Sequence, residues 1–179
     1  MRSFVALALP EAVRSSLARE QTRLQDELRD RLPPGALRWS ALETLHLTLL
    51  FLGERPEAEL PLLTLALDRA ARRPRFTLRT AGLGAFPSRR RPSVLWCGVG
   101  GDLGSLHALQ HALAAQLEGR YAGAARGFEP HLTLARAAQP GASRVLAGVL
   151  ASASGSAGEL AAGPPAGVAW EVTALGLYR

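Results

Sequence analysis

Long apolar runs, lysine and all but one cysteine are missing from this 179-residue sequence. No apolar run approaches the roughly 20 residues that a membrane-spanning helix needs, so we expect no membrane span. The apolar start is short, and a charged helical pattern follows Pro10 directly, which favours a buried strand over a signal peptide. The single cysteine, Cys97, excludes an intrachain disulfide and is typical of a reducing, cytoplasmic location.

Because lysine is missing, all 21 basic residues are arginine, and the net charge is +6. Such a charge favours a polyanionic partner, of which nucleic acid is the usual one. The arginine bias, with abundant alanine, glycine and leucine, is explained equally well by genomic base composition. The charge alone therefore leaves both interpretations open. Arginine does suit phosphate, because its planar fork bonds two oxygens at once.

Strand and helix patterns follow the same order in both halves of the chain, which predicts an internal repeat. TAGLGAF near residue 80 also resembles TALGLY near residue 173. The repeat predicts one bilobal domain over residues 1–179, with related halves of about 1–90 and 91–179 that face each other. The predicted strands are 4–9, 45–52, 76–86, 94–99, 131–135 and 170–178. The predicted helices are 11–31, 57–72, 103–117 and 143–150. Residues 151–167 are predicted to form a loop with one short strand near Leu160.

The tetrapeptide HLTL occurs once in each half, in the middle strand. Side chains alternate along a strand, so His46 and Thr48 share one face, as do His131 and Thr133. The leucines then pack on the opposite face. One such motif is weak evidence of function, whereas two copies at matching places in a repeat are strong evidence.

Facing lobes would bring two imidazoles and two hydroxyls into one groove. Paired imidazoles suit general acid and base catalysis near neutral pH, and hydroxyls can bond phosphate oxygens. The chemistry that fits is in-line displacement at a phosphodiester without a metal. Symmetry alone does not decide which histidine is the acid.

These residues resemble the two-histidine phosphoesterases, in the branch of RNA 2′,3′-cyclic phosphodiesterases also described as 2′-5′ RNA ligases. RSFVALALPE, LRWSALETLHLTLLFLGE, FPSRRRPSVLWCGV, FEPHLTLAR and VTALGLYR carry the resemblance over nearly the whole chain. Family members often have a basic residue where this chain has Leu50, and they usually continue a little beyond the LYR segment.

The resemblance implies an α+β fold with an antiparallel sheet in each lobe, helices on the outer faces and a central groove. It implies hydrolysis of RNA 2′,3′-cyclic phosphate ends, including those of tRNA fragments, to 2′-phosphates. His46 would be the proton donor, His131 the proton acceptor, and Thr48 and Thr133 the phosphate ligands. We expect no cofactor and no metal, a monomer, and nucleotide binding as a further property.

Three further residues are candidate substrate contacts. The resemblance implies a phosphate or nucleotide contact for Arg136, but strict alternation puts it on the face away from His131 unless the strand ends or twists. Phe51 and Tyr178 are each candidates either for base stacking or for the core.

Other motifs point to no second chemistry. His107 and His111 have metal-compatible helical spacing but lack a partner motif, so we interpret them as ordinary helix residues. The run from Arg89 to Arg91 predicts a loop that is either solvated or steers RNA. No P-loop lysine follows the glycines near residue 100.

Three functions remain open from the residues. The first is the cyclic phosphodiesterase. The second is 2′-5′ RNA ligation or hydrolysis of small cyclic or 2′-5′ nucleotides by the same groups. The third is a non-catalytic module that binds RNA ends, for which arginine would serve as well as histidine.

Overall fold

The computed structural model describes residues 2–117, 127–152 and 167–178. Within these ranges the fold is α+β, as predicted, with two antiparallel sheets. The strands are β1 (Arg2–Ala8), β2 (Leu37–Trp39), β3 (His46–Glu54), β4 (Phe76–Phe86), β5 (Val94–Gly101), β6 (His131–Ala137), β7 (Ala169–Val172) and β8 (Leu175–Tyr178). The helices are α1 (Glu11–Leu28), α2 (Leu60–Ala71), α3 (Leu103–Gln116) and α4 (Ala142–Ser152). No described helix is both long and apolar enough to cross a membrane.

Helix positions follow from apolar spacing and capping. The predicted apolar face of α1, from Val13 to Leu28, is buried. The helix ends at Leu28 rather than at Arg31, and Leu32, the next residue on that face, is only partly buried against the core. Asp102 caps α3 as predicted, since its carboxylate accepts a hydrogen bond from the backbone N–H of Ser105 at 2.9 Å.

The two sheets exchange their last strands between the halves of the sequence. One sheet has the order β3-β1-β8 and the other β2-β6-β5-β4-β7. The strand β4 ends the first half of the chain but pairs with β5, whereas β8 ends the second half but pairs with β1. Each half therefore completes the sheet of the other. The division of the chain near residue 90 stays a prediction.

Two strand predictions were wrong. The segment 170–178 is not one strand but two, β7 and β8, which belong to different sheets. Thr173 and Ala174 lie between them, so the chain changes sheet there. The short strand β2 was not predicted, since three residues are too few to show a periodic pattern. The strand suggested near Leu160 lies outside the described residues.

One hydrophobic cluster lies between the helices and both sheets. Its largest fully buried side chains are leucines, including Leu47 and Leu132 from the two HLTL motifs. Both motifs thus contribute to the core from one face, as alternation requires.

A β-bulge interrupts the alternation in each motif strand. In β3, Thr48 pairs with Ala6 and Leu50 pairs with Val5, which leaves Leu49 as an extra residue. In β6, the register between Leu95 and Trp96 shifts in the same way, so that Leu134 is the extra residue. Two consecutive side chains after each threonine are therefore buried.

Helix α1 supports the β6 bulge with a buried glutamine. The Gln21 side chain is only 5% exposed, and its Nε2 donates to the carbonyls of Leu134 at 3.1 Å and Ser40 at 3.0 Å. The Ser40 N–H donates to the same Leu134 carbonyl at 2.9 Å. These bonds satisfy backbone groups around the bulge, which are costly to bury unpaired.

The substitution Gln21→Met preserves the shape of the side chain but removes both donated bonds. We expect the free energy of unfolding to fall by about 1–3 kcal/mol in urea titrations. The control, Gln25→Met on the exposed side of the same helix, should change it by less than about 0.5 kcal/mol. Equal stability of the two variants would contradict the support of the bulge by Gln21.

Cys97 lies in β5 with no exposed surface, and its Sγ contacts the Ala81 carbonyl at 3.1 Å. Burial raises the pKa of the thiol to about 12. Because the thiolate is the reactive form, we expect no reaction of folded protein with a thiol reagent at pH 8 and one equivalent after denaturation. Rapid labelling of the folded protein would show that this strand is open to solvent.

Candidate active site

Both HLTL motifs present histidine and threonine on one strand face. His46 and Thr48 in β3 are half-buried between fully buried leucines. His131 and Thr133 in β6 show the same pattern. The motif strands lie close together, although they belong to different sheets. All four polar side chains therefore project from neighbouring strands, one pair from each sheet.

A cavity of about 640 Å³ lies between the two sheets beside these strands. Thr48 and Phe51 line it from β3, His131 lines it from the start of β6, and Phe86 and Phe128 add apolar walls. The cavity thus combines polar groups from both motifs with aromatic surface. This mixture is typical of sites for small ligands or for the end of a longer one.

Matching hydrogen bonds fix the orientation of both imidazoles. Nδ1 of His46 lies 2.6 Å from the Thr44 carbonyl oxygen, and Nδ1 of His131 lies 2.7 Å from the Glu129 carbonyl oxygen. A carbonyl oxygen only accepts, so each Nδ1 carries the proton. Each Nε2 is then left to accept or donate a proton, depending on the charge of the ring.

Aromatic rings pack against both histidines. The Phe4 ring stacks on His46 with centroids 4.6 Å apart, and the centroid of Tyr178 lies 5.4 Å from Phe4 and 6.0 Å from His46. Phe86 meets His131 edge-on at 4.8 Å. Tyr178 and Phe86 end the exchanged strands β8 and β4, so they occupy equivalent places in the two sheets. These contacts restrict rotation of the imidazoles.

The environment of His131 favours its neutral form. Burial lowers its pKa first, and the positive charges of Arg136 and His46 lower it further. The carbonyl and carboxylate of Glu129 oppose this shift only in part. The lowered pKa favours the uncharged imidazole, which can accept a proton.

The bulges bring Phe51 and Arg136 to the same face as the histidines. Strict alternation would turn both residues toward the core, but the extra leucine in each strand reverses the parity. Phe51 is 62% exposed and lines the cavity, and Arg136 is exposed at the equivalent position. Arg136 still lies within β6, so the end of the strand does not explain its orientation. The bulge turns its side chain to the face of the histidines, which the sequence periodicity did not predict.

The remaining candidates lie away from the groove or have structural contacts. His107 and His111 are neighbours on α3, where His107 packs edge-on against Phe128. Among the described residues, no group of three or more metal-ligating side chains is assembled. Arg89 donates hydrogen bonds to the backbone carbonyls of Leu83 and Leu150, which ties its loop to the fold.

Sequence reasoning missed the rings of Phe4 and Phe86, which pack against His46 and His131 respectively. The signal for Phe86 was present, because TAGLGAF and TALGLY align it with Tyr178. Leu50, which departs from the family pattern in the first motif, is buried because of the β3 bulge.

Comparisons with known proteins agree on one family. Residues 12–96 match the family described as LigT like phosphoesterase. A Thermus thermophilus protein named RNA 2′,3′-cyclic phosphodiesterase is 39% identical over 149 residues, which cover 78% of this chain and 70% of that protein.

Solved structures extend the similarity to the whole fold. A crystal structure of a Thermus thermophilus protein has a TM-score of 0.75 at 33% identity, and the match covers 100% of this chain and 88% of that one. Escherichia coli LigT in complex with 3′-AMP has a TM-score of 0.66 at 28% identity, with 99% and 86% covered.

The pKa of His131 provides a test of the site that is independent of catalysis. In an NMR titration we expect its imidazole to titrate below the ordinary value of about 6.5. Arg136→Gln removes a nearby positive charge, so this pKa should rise, whereas Arg73→Gln, in the loop after α2, should leave it unchanged. An identical His131 titration in wild type and Arg136→Gln would contradict the proximity of the two side chains.

Proposed function

The chain belongs to the LigT-like phosphoesterase family, and on that premise we propose that it hydrolyses 2′,3′-cyclic phosphate ends of RNA to 2′-phosphates. The observation that carries the proposal is the matched pair of imidazoles, each held through Nδ1 by a backbone carbonyl two residues earlier. Two prearranged imidazoles, close enough that His46 lowers the pKa of His131, suit in-line displacement with separate acid and base groups.

His131 is the general base of this proposal. Its lowered pKa keeps Nε2 unprotonated at neutral pH, so Nε2 can take a proton from the attacking water. The water oxygen forms a new bond to phosphorus as the bond from phosphorus to the 3′ oxygen breaks. His46 enters the step protonated, and its Nε2 donates a proton to the departing 3′ oxygen. The products are a 2′-phosphate and a free 3′-hydroxyl.

Thr48 and Thr133 act on the phosphate itself. Each lies two residues beyond a histidine on the same strand face, a distance of roughly 6–7 Å along the strand. Their hydroxyls donate to the non-bridging oxygens, where negative charge increases in the transition state. In this proposal the histidines carry out both proton transfers and the threonines contact the phosphate oxygens, so the reaction needs no metal ion.

Phe51 and Arg136 are proposed to contact different parts of the substrate, Phe51 a nucleobase and Arg136 a phosphate. Phe51 is the most exposed large hydrophobic side chain in the described residues, which favours stacking on an unpaired nucleobase. Arg136 occupies the equivalent place in the other sheet and suits a phosphate. Tyr178 stacks on Phe4 beside His46, so we assign it to positioning that imidazole rather than to a base.

The test uses an RNA oligonucleotide with a 2′,3′-cyclic phosphate end in the presence of EDTA. We expect ring opening to a 2′-phosphate with a bell-shaped dependence of the rate on pH, since His131 must be neutral and His46 charged. His46→Ala and His131→Ala should each lower kcat by about 10²–10⁴-fold. His111→Ala, an exposed histidine on α3, is the matched control.

Two results would contradict the proposal. One is a wild-type protein that leaves the cyclic phosphate intact. The other is ring opening that survives both histidine substitutions, because the acid and base would then lie elsewhere.

A further inference from the structure

Trp96 in β5 lies beside His131 on the face of the five-stranded sheet that carries the histidine. Its side chain is only 7% exposed, and its ring centroid lies 6.1 Å from that of His131 and 5.3 Å from that of Phe86. Phe86 itself lies 4.8 Å from His131. The three rings therefore form one cluster, and the two hydrocarbon rings exclude water from one side of the imidazole.

The indole of Trp96 occupies space that only a glycine leaves free. Gly84 in β4 pairs with Trp96. A Cβ atom at position 84 would overlap with Cη2, Cζ2 and Cζ3 of the indole, far inside the normal contact distance between carbon atoms. Gly84 does not have a positive φ, so close approach rather than backbone conformation requires glycine here. Any other residue at this position would displace the indole.

The position of the indole over Gly84 also concerns Thr133, the threonine of the second motif. Trp96 pairs with Gly84 on one side and with Thr133 on the other, and paired residues project from the same face. Because the indole lies over the glycine, Thr133 stays only half-buried. Gly84 thus lets a large ring lie beside the histidine without burying the neighbouring threonine.

The three-stranded sheet has a corresponding arrangement beside His46. Gly176 in β8 occupies the place of Gly84 when the similar segments TALGLY and TAGLGAF are aligned. A Cβ atom at position 176 would lie 2.7 Å from the ring of Tyr178, whose centroid is 6.0 Å from that of His46. In both sheets, therefore, a glycine leaves room for an aromatic ring near a motif histidine.

We propose that Gly84 and Trp96 are positioning residues for His131: the glycine admits the indole, and the indole orients the imidazole and shields it from water. This inference rests on the proposed function, in which His131 is the general base. An imidazole held in a dry, fixed position keeps its Nε2 free to accept a proton from water.

Burial is the largest cause of the lowered pKa of His131, and the indole supplies part of that burial. The charged and titratable groups that act on this imidazole are Glu129, Arg136 and His46. None of the three is altered by a substitution at position 84 or 96. A change in the His131 titration in such variants therefore reports the contact with the indole.

The experiment combines an NMR titration of His131 with kinetics of ring opening of a 2′,3′-cyclic phosphate in Gly84→Ala. The displaced indole should let water reach the imidazole, so we expect its pKa to rise toward the ordinary value of about 6.5. The acidic limb of the kcat/KM profile should move to higher pH with it. We expect kcat to fall by about 10–100-fold with little change in KM, since a displacement of about 1 Å costs up to this much.

Gly104→Ala is the matched control for the glycine. This position is exposed on α3, and a Cβ atom there would lie 3.5 Å from its nearest neighbour, an ordinary contact. The His131 titration and the kinetics of this variant should equal those of wild type.

Trp96→Phe separates the indole from the general packing of the sheet. Phenylalanine lacks the outer carbons that lie over Gly84, so this variant should also raise the pKa of His131. Adding Gly84→Ala to Trp96→Phe should change the titration little further, because no indole remains to be displaced. Trp170→Phe, which alters another buried tryptophan in β7, should leave the His131 pKa unchanged.

The outcomes separate this inference from the proposed function. If wild type leaves the cyclic phosphate intact, the proposed function fails, and the titrations still test the contact between Trp96 and His131. If Gly84→Ala unfolds at lower urea concentration but keeps the wild-type His131 pKa and pH profile, the indole only fills space and the inference is wrong. Equal effects of Gly84→Ala with and without the indole would also contradict it. If Gly84→Ala does not fold, an unchanged His131 titration in Trp96→Phe is sufficient to overturn the inference.

Discussion

The extra residue directly after each motif threonine, Leu49 in β3 and Leu134 in β6, determines which side chains reach the face of the histidines. Before the bulge, the side chains alternate, so that histidine and threonine lie on the groove face and leucine lies in the core. Beyond it, two consecutive buried residues reverse the parity, so that Phe51 and Arg136 join the same face. A regular strand would bury a phenylalanine and an unpaired arginine there, and burial of an unpaired charge is costly. The bond from Gln21 to the Leu134 carbonyl stabilises this irregularity in β6.

The two HLTL motifs make matching hydrogen bonds, but their histidines have different neighbours. Nδ1 of each imidazole donates a hydrogen bond to a backbone carbonyl, so the two rings are held in the same way. His46 then lies in a stack of aromatic rings, whereas His131 lies near Arg136, whose charge favours the neutral ring. Phe51 and Arg136 hold equivalent positions but suit a base and a phosphate respectively. Aromatic rings flank both histidines, and the two motif strands differ in the exposed residue beyond the bulge, which is Phe51 in one and Arg136 in the other.

The sequence was sufficient for the α+β class and for the alternation within HLTL, because these depend on local periodicity. Asp102 as a cap and the apolar face of α1 follow from the same kind of local signal. The bulges could not be predicted, since a run such as Leu49–Leu50 is equally compatible with a strand buried on both faces. The exchange of β4 and β8 depends on pairing between distant segments. Strand β2 was not recognised because it has only three residues, and its position depends on pairing with the distant strand β6.

The central claim is that His46 and His131 act from opposite sides of one phosphorus atom. A crystal structure with a nucleoside vanadate, which mimics the five-coordinate transition state, tests this most directly. We expect Nε2 of each histidine to lie within about 2.6–3.2 Å of a different apical oxygen, with both threonine hydroxyls on equatorial oxygens. Vanadate bound to only one of the two histidines, or with both on the same side of the vanadium atom, would contradict it.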